Sequence, residues 1–77
     1  MNRSHDPVSC AFHDELELRA LRRRSCRMVY RDEHNLEISV DTIVTDLLTR
    51  DGREFAVIAD GAVIPLDRIV SVDGLRP

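Results

Sequence analysis

With 77 residues and a mass of 8.8 kDa, the chain has room for one domain and one modest core. Hydrophobic residues make up 43%, enough for a folded globule, and no apolar run approaches the roughly 20 residues of a membrane span. The net charge of −3 is uneven: residues 1–31 hold seven arginines against four acids, residues 32–77 four arginines against ten acids. A plain nucleic-acid binder would be basic overall, which this chain is not.

Two cysteines, Cys10 and Cys26, do not make a disulfide framework, and the polar first residues lack an apolar signal core. Both features lead to the expectation of a reduced, cytoplasmic setting. A single domain is expected over residues 10–74, after a loose lead-in over 1–9 and before a tail over 75–77, with fraying from Asp73 onward.

Residues 10–24, CAFHDELELRALRRR, form the one convincing helical segment. Phe12, Leu16 and Ala20 lie on one i, i+4 row, and Leu18 and Leu21 are expected to widen that apolar stripe. Asp14, Glu15 and Glu17 fall in the early turns and Arg22, Arg23 and Arg24 at the end, which complements the helix dipole. Residues 25–31 alternate, with Cys26, Met28 and Tyr30 on one face, as a half-buried strand does. Residues 32–35 read as a polar turn. Residues 36–44 alternate again, Leu36, Ile38 and Val40 pointing one way, and a bend or bulge is expected near Thr42. Residues 45–52 fit either a helical turn or a loop carrying Leu47 and Leu48 inward, ended by Asp51-Gly52.

The stretch 54–72, EFAVIADGAVIPLDRIVSV, holds the strongest hairpin signal. Asp60-Gly61 suits a two-residue type I′ turn, whose central residues both need positive φ. That turn sets Val57 against Ile64 and Phe55 against Leu66, giving one wholly apolar face. After a tight corner at Asp67-Arg68, residues 69–72 supply a further strand. The fold expected is mainly β, in the α+β class: an N-terminal helix followed by five antiparallel strands that curl into a small barrel and so hide their edges.

Catalytic signatures are missing: the sequence has no serine elbow, no P-loop and no HExxH, so no enzyme activity and no cofactor are expected. His5, Cys10, His13 and Cys26 match no zinc spacing, and no metal is expected either. Two surfaces remain. Arg22, Arg23, Arg24 and Arg27 can form a phosphate-binding patch with Tyr30 as a stacking surface, or simply pair with the acids of the second half. Asp14, Glu15 and Glu17 can present carboxylates to a basic groove as phosphates would.

The strings HDELEL at 13–18 and IPLDRIVSV at 64–72 decide the order of these two. Together with Pro7, Cys10, the Leu36 strand and Glu54-Phe55, they make the chain resemble the Rho-binding antiterminator family, over roughly residues 6–74. The sequence departs from that pattern at Ala11 and Phe12 and in the run Arg22, Arg23, Arg24. The resemblance implies an Sm-like five-stranded barrel with an N-terminal helix. It also implies a bacterial protein inhibitor that binds the termination factor Rho, blocks its primary RNA-binding site and lowers Rho-dependent termination. Carried over by position, His13, Asp14 and Glu17 are the expected contacts with Rho, and Glu15 joins them on charge and proximity. The family acts as a monomer, and the same is expected here. The alternative is an Sm-like module that binds RNA directly through Arg22, Arg23, Arg24 and Arg27.

Overall fold

The computed structural model describes residues 10–77, so the lead-in over 1–9, His5 included, lies outside the described residues. Helix α1 (Cys10–Arg22) is followed by strands β1 (Ser25–Arg31), β2 (Glu37–Arg50), β3 (Arg53–Ile58), β4 (Val63–Pro65) and β5 (Ile69–Val72). The strands form one antiparallel sheet in the order β4-β3-β2-β1-β5, the helix-plus-five-strand α+β fold that the sequence predicts.

The two outermost strands are consecutive in the chain, joined only by the 3-10 turn Leu66–Arg68. A flat five-stranded sheet would hold its edges roughly 19 Å apart. Three residues of 3-10 turn advance only about 6 Å, so the sheet has to curl until β4 and β5 share a corner. The third strand expected after Asp67-Arg68 therefore does not extend the hairpin. It pairs with β1, Met28 opposite Val72.

Inside the curl, Cys26 and Met28 from β1, Val44 from β2, and Ala56 and Ile58 from β3 meet Ile64, Leu66, Ile69 and Val72. Phe12 and Leu16 of α1 complete the same core, while Leu18 and Leu21 stay exposed and do not widen the buried stripe. The helix ends in a Schellman motif: the Arg24 N–H donates to the Arg19 carbonyl at 3.0 Å and the Arg23 N–H to Ala20 at 3.2 Å. Arg23 takes the left-handed position at φ 50°, where glycine is the usual residue. A side chain there costs about 1 kcal/mol, so Arg23→Gly is expected to stabilise the fold by about 0.5–1 kcal/mol. A thermal melt checks this, with a rise of about 3–6 °C expected for a domain of this size.

Strand β2 is longer than expected. Ile38, Val40, Thr42 and Val44 hold the inward face without a break, and Thr42 is buried with its hydroxyl accepting the Ala59 N–H at 3.2 Å. The bulge lies not near Thr42 but at Thr45, where the register with β3 shifts between Val44 and Asp46. That extra residue moves the inward set from even to odd positions and brings Leu47 against the core. Leu36 precedes the strand and is exposed.

Residues 45–50 are strand, neither helical turn nor loop. They end in a two-residue hairpin turn in which Asp51 and Gly52 both have positive φ, 54° and 78°. The type I′ turn expected at Asp60-Gly61 is thus found at Asp51-Gly52. At Asp60-Gly61 only the glycine has positive φ, and Ile58 accepts from Gly61 and donates to Ala62, enclosing a three-residue loop. The extra loop residue slips the register by one: Val57 faces Val63 and Ala56 faces Ile64. Ala56 and Ile58 take the core face in place of Phe55 and Val57, while Ile64 and Leu66 are buried as expected.

Residues 73–75 do not fray. Val72 and Leu75 exchange both backbone hydrogen bonds at 2.9 Å around Asp73-Gly74. The Asp73 carboxylate accepts the Arg27 N–H at 2.9 Å and the Arg19 Nε–H at 3.2 Å, fastening α1 to β1. The Arg27 N–H first, and then Arg19, hold this carboxyl below the ordinary aspartate range against the opposing effect of partial burial. Its contribution to stability is therefore complete above about pH 4 and is lost as pH falls through the lowered folded-state value. Asp73→Asn keeps the acceptor and tolerates the positive φ, so it isolates the charge. It is expected to cost about 1 kcal/mol at pH 7, with the gap to the parent protein closing in denaturant melts below about pH 3.

Candidate functional site

Because Phe12 and Leu16 anchor α1, the side chains between them face outward. His13 lies between two carboxylates: its Nδ1 is 3.7 Å from Glu17 on the same helix and its Nε2 is 3.2 Å from Glu54 on β3. Glu17 and Asp14 are exposed, and Asp14 has no ion pair or hydrogen bond among the described residues. Glu15 is turned the other way and holds Arg19 at 2.7 Å. Burial opposes the Arg19 charge, but the carboxylates of Glu15 and Asp73 outweigh it and keep the guanidinium firmly protonated.

Of the four residues expected to contact Rho, the fold thus gathers His13, Asp14 and Glu17 and commits Glu15 to an internal pair. With the described helix running from Cys10, these acids stand in its second turn, and none lies in the first. Their orientation therefore owes more to the Phe12 and Leu16 anchors than to the helix dipole, which acts mainly on the terminal turn.

Beside them runs an open groove between α1 and β2, lined by Leu18, Leu21 and Leu47 together with Asp14, Glu17 and Asp46. The contributions of Asp46, Leu47 and the exposed leucines were not assigned from the sequence. Asp46 and Leu47 enter because the bulge expected near Thr42 falls instead at Thr45 and turns β2 there.

The arginines divide into two groups. Arg27 is held by Asp41 at 2.7 Å, Arg31 by Glu37 at 3.2 Å, and Arg53 by Asp67 at 2.9 Å while lying over the Phe55 ring. Arg22, Arg23 and Arg24 make no ion pair among the described residues, although Arg24 acts on Asp73 from a distance. Tyr30 is half-buried against the core, which limits the ring face it can offer a base.

The one grouping of potential metal ligands among the described residues is His13, Asp14 and Glu17, with ligand atoms within 4.8 Å of one another, and neither cysteine belongs to it. Cys26 is buried, which pushes its thiol pKa up, with the Asp73 charge adding to the effect; a thiol so placed is a poor thiolate ligand. No helix of the described residues is long and apolar enough to cross a membrane. Comparison with known protein families, curated proteins and solved structures finds no match to this chain.

Proposed function

We propose that this protein is a Rho-binding antiterminator: an inhibitor that occupies the primary RNA-binding site of Rho and reduces Rho-dependent termination. The observation that carries the reading is the pairing of exposed carboxylates, Asp14 and Glu17, with an apolar groove on a helix pinned by Phe12 and Leu16. A groove that binds RNA presents arginines and lysines for phosphates and apolar or aromatic surface for bases. Carboxylates beside leucines answer both features, the acids by charge-assisted hydrogen bonds and the leucines by contact. The action is steric and electrostatic competition, needing no catalysis, cofactor or metal.

The test is displacement. Rho carrying labelled pyrimidine-rich RNA is titrated with the protein at moderate salt, and complex formation is followed by co-elution. Loss of the RNA signal with co-elution is expected. RNA that stays on Rho at saturating protein overturns the reading.

Direct RNA binding is favoured by one fact, the absence of ion-pair partners for Arg22, Arg23 and Arg24 among the described residues. That reading requires the protein alone to retain RNA, with affinity falling steeply as salt rises. Absence of retention at low salt excludes it.

A further inference from the structure

His13, Asp14 and Glu17 put one imidazole and two carboxylates on the outer side of α1, and one donor atom from each lies within 4.8 Å of the others. Phe12 and Leu16, between which two of them fall, are buried in the core, so the backbone that carries the three is held. The imidazole is held as well. Its Nε2 stands 3.2 Å from Glu54 of β3, a residue outside the grouping and on another element. Its Nδ1 is turned to Glu17 at 3.7 Å, beyond the range of a hydrogen bond. Asp14 has no ion pair or hydrogen bond among the described residues. Three carboxylates thus surround one imidazole, an excess of negative charge that a dication would neutralise.

We propose that His13, Asp14 and Glu17 bind a divalent first-row transition-metal ion such as zinc, with Glu54 orienting the imidazole from behind. Zinc holds nitrogen and carboxylate oxygen at about 2.0–2.2 Å, so two donors at a tetrahedral angle stand about 3.4 Å apart. The separation of His13 Nδ1 and Glu17 is already close to that value, and Asp14 is exposed and closes by side-chain rotation. A ligating histidine characteristically gives its other ring N–H to a carboxylate, which fixes the tautomer and raises the basicity of the ligand. Glu54 stands where that partner belongs. One nitrogen donor beside two carboxylates suits zinc, cobalt or nickel better than magnesium or calcium, which take oxygen shells. Three protein ligands leave the remaining position to water, so the ion is held less tightly than in a closed structural site.

The site itself does not depend on the Rho reading. Its regulatory consequence rests on that reading: an ion on Asp14 and Glu17 takes up the charge offered to Rho, so metal and Rho exclude one another.

Calorimetric titration of the full chain with zinc chloride, and absorption spectra with cobalt chloride, test the site without Rho. One ion per chain is expected, and the cobalt spectrum is expected to lack a thiolate charge-transfer band. His13→Asn, and separately Asp14→Asn combined with Glu17→Gln, are each expected to lower zinc affinity by more than about tenfold, and Glu54→Gln by about tenfold. Asp14 and Glu17 are exposed, so the double variant leaves the core intact, and circular dichroism verifies that His13→Asn is folded. Cys10→Ser, which removes an exposed thiol, is expected to leave zinc binding unchanged. Absence of zinc binding overturns the proposal, as does binding that survives the double variant or is lost with Cys10→Ser. Magnesium chloride binding as tightly as zinc also overturns it, since the acids would then act only as a negative patch. With zinc at saturation, displacement of RNA from Rho is expected to need about tenfold more protein. Unchanged displacement overturns the exclusion, whereas failure of displacement without metal counts against the Rho reading alone.

Discussion

Leu16→Ala is expected to lower stability by about 3 kcal/mol, within the 2–5 kcal/mol typical of emptying a buried leucine site. Leu16 is 0% exposed, and it joins α1 to the core formed by β1, β2 and β3. A domain of this length is stabilised by only about 4–12 kcal/mol in total, so the loss removes a large share of it and lowers the melting midpoint by roughly 15–20 °C. An isolated 13-residue helix is marginal in water, so weakening this contact releases α1 first and removes the platform for His13, Asp14 and Glu17. The same truncation at Leu21, which is 81% exposed, is expected to change stability by less than about 0.5 kcal/mol. Denaturant melts of the two variants side by side check this. Equal losses would mean that the helix does not dock through the Phe12–Leu16 row.

That contrast was available from the sequence. Each helical residue turns about 100°, so Leu18, two residues on, lies nearly opposite Leu16. Phe12 and Ala20 flank Leu16 closely on the other side. Reading every leucine of the segment into one stripe obscured the exposed groove, which is where the candidate site is. The strand over residues 25–31 was legible because every second side chain, Cys26 and Met28 foremost, enters the core. The hairpin register was not. Asp-Gly fits both the two-residue loop at residues 51–52 and the three-residue loop at residues 59–61. The choice depends on which face of β3 meets the core, a tertiary fact. A slip of one residue put Ala56 and Ile58 in the core where Phe55 and Val57 were expected. Likewise the adjacent apolar pair Ile43 and Val44 suggested a break near Thr42, whereas Thr42 continues the inward face with its hydroxyl accepting the Ala59 N–H, a partner 17 residues away.

The second large effect expected is on binding. Asp14→Asn combined with Glu17→Gln preserves shape and hydrogen-bonding capacity and removes two charges, so it is expected to weaken displacement of RNA from Rho about 100-fold. A charge-assisted hydrogen bond is worth about 1.5–3 kcal/mol when desolvated, and about 1.4 kcal/mol corresponds to a tenfold change. Two such contacts reach the figure even if they couple imperfectly as neighbours on one helix face. Glu15→Gln serves as the control. Its carboxylate is engaged with Arg19 at 2.7 Å on another side of the helix, so a change of less than about threefold is expected, of the size measured for exposed rim charges. If the double variant displaces RNA as well as the parent protein does, the carboxylate face is not the contact. If Glu15→Gln is the damaging change instead, the opposite side of α1, with Arg19 and Asp73, is what meets Rho.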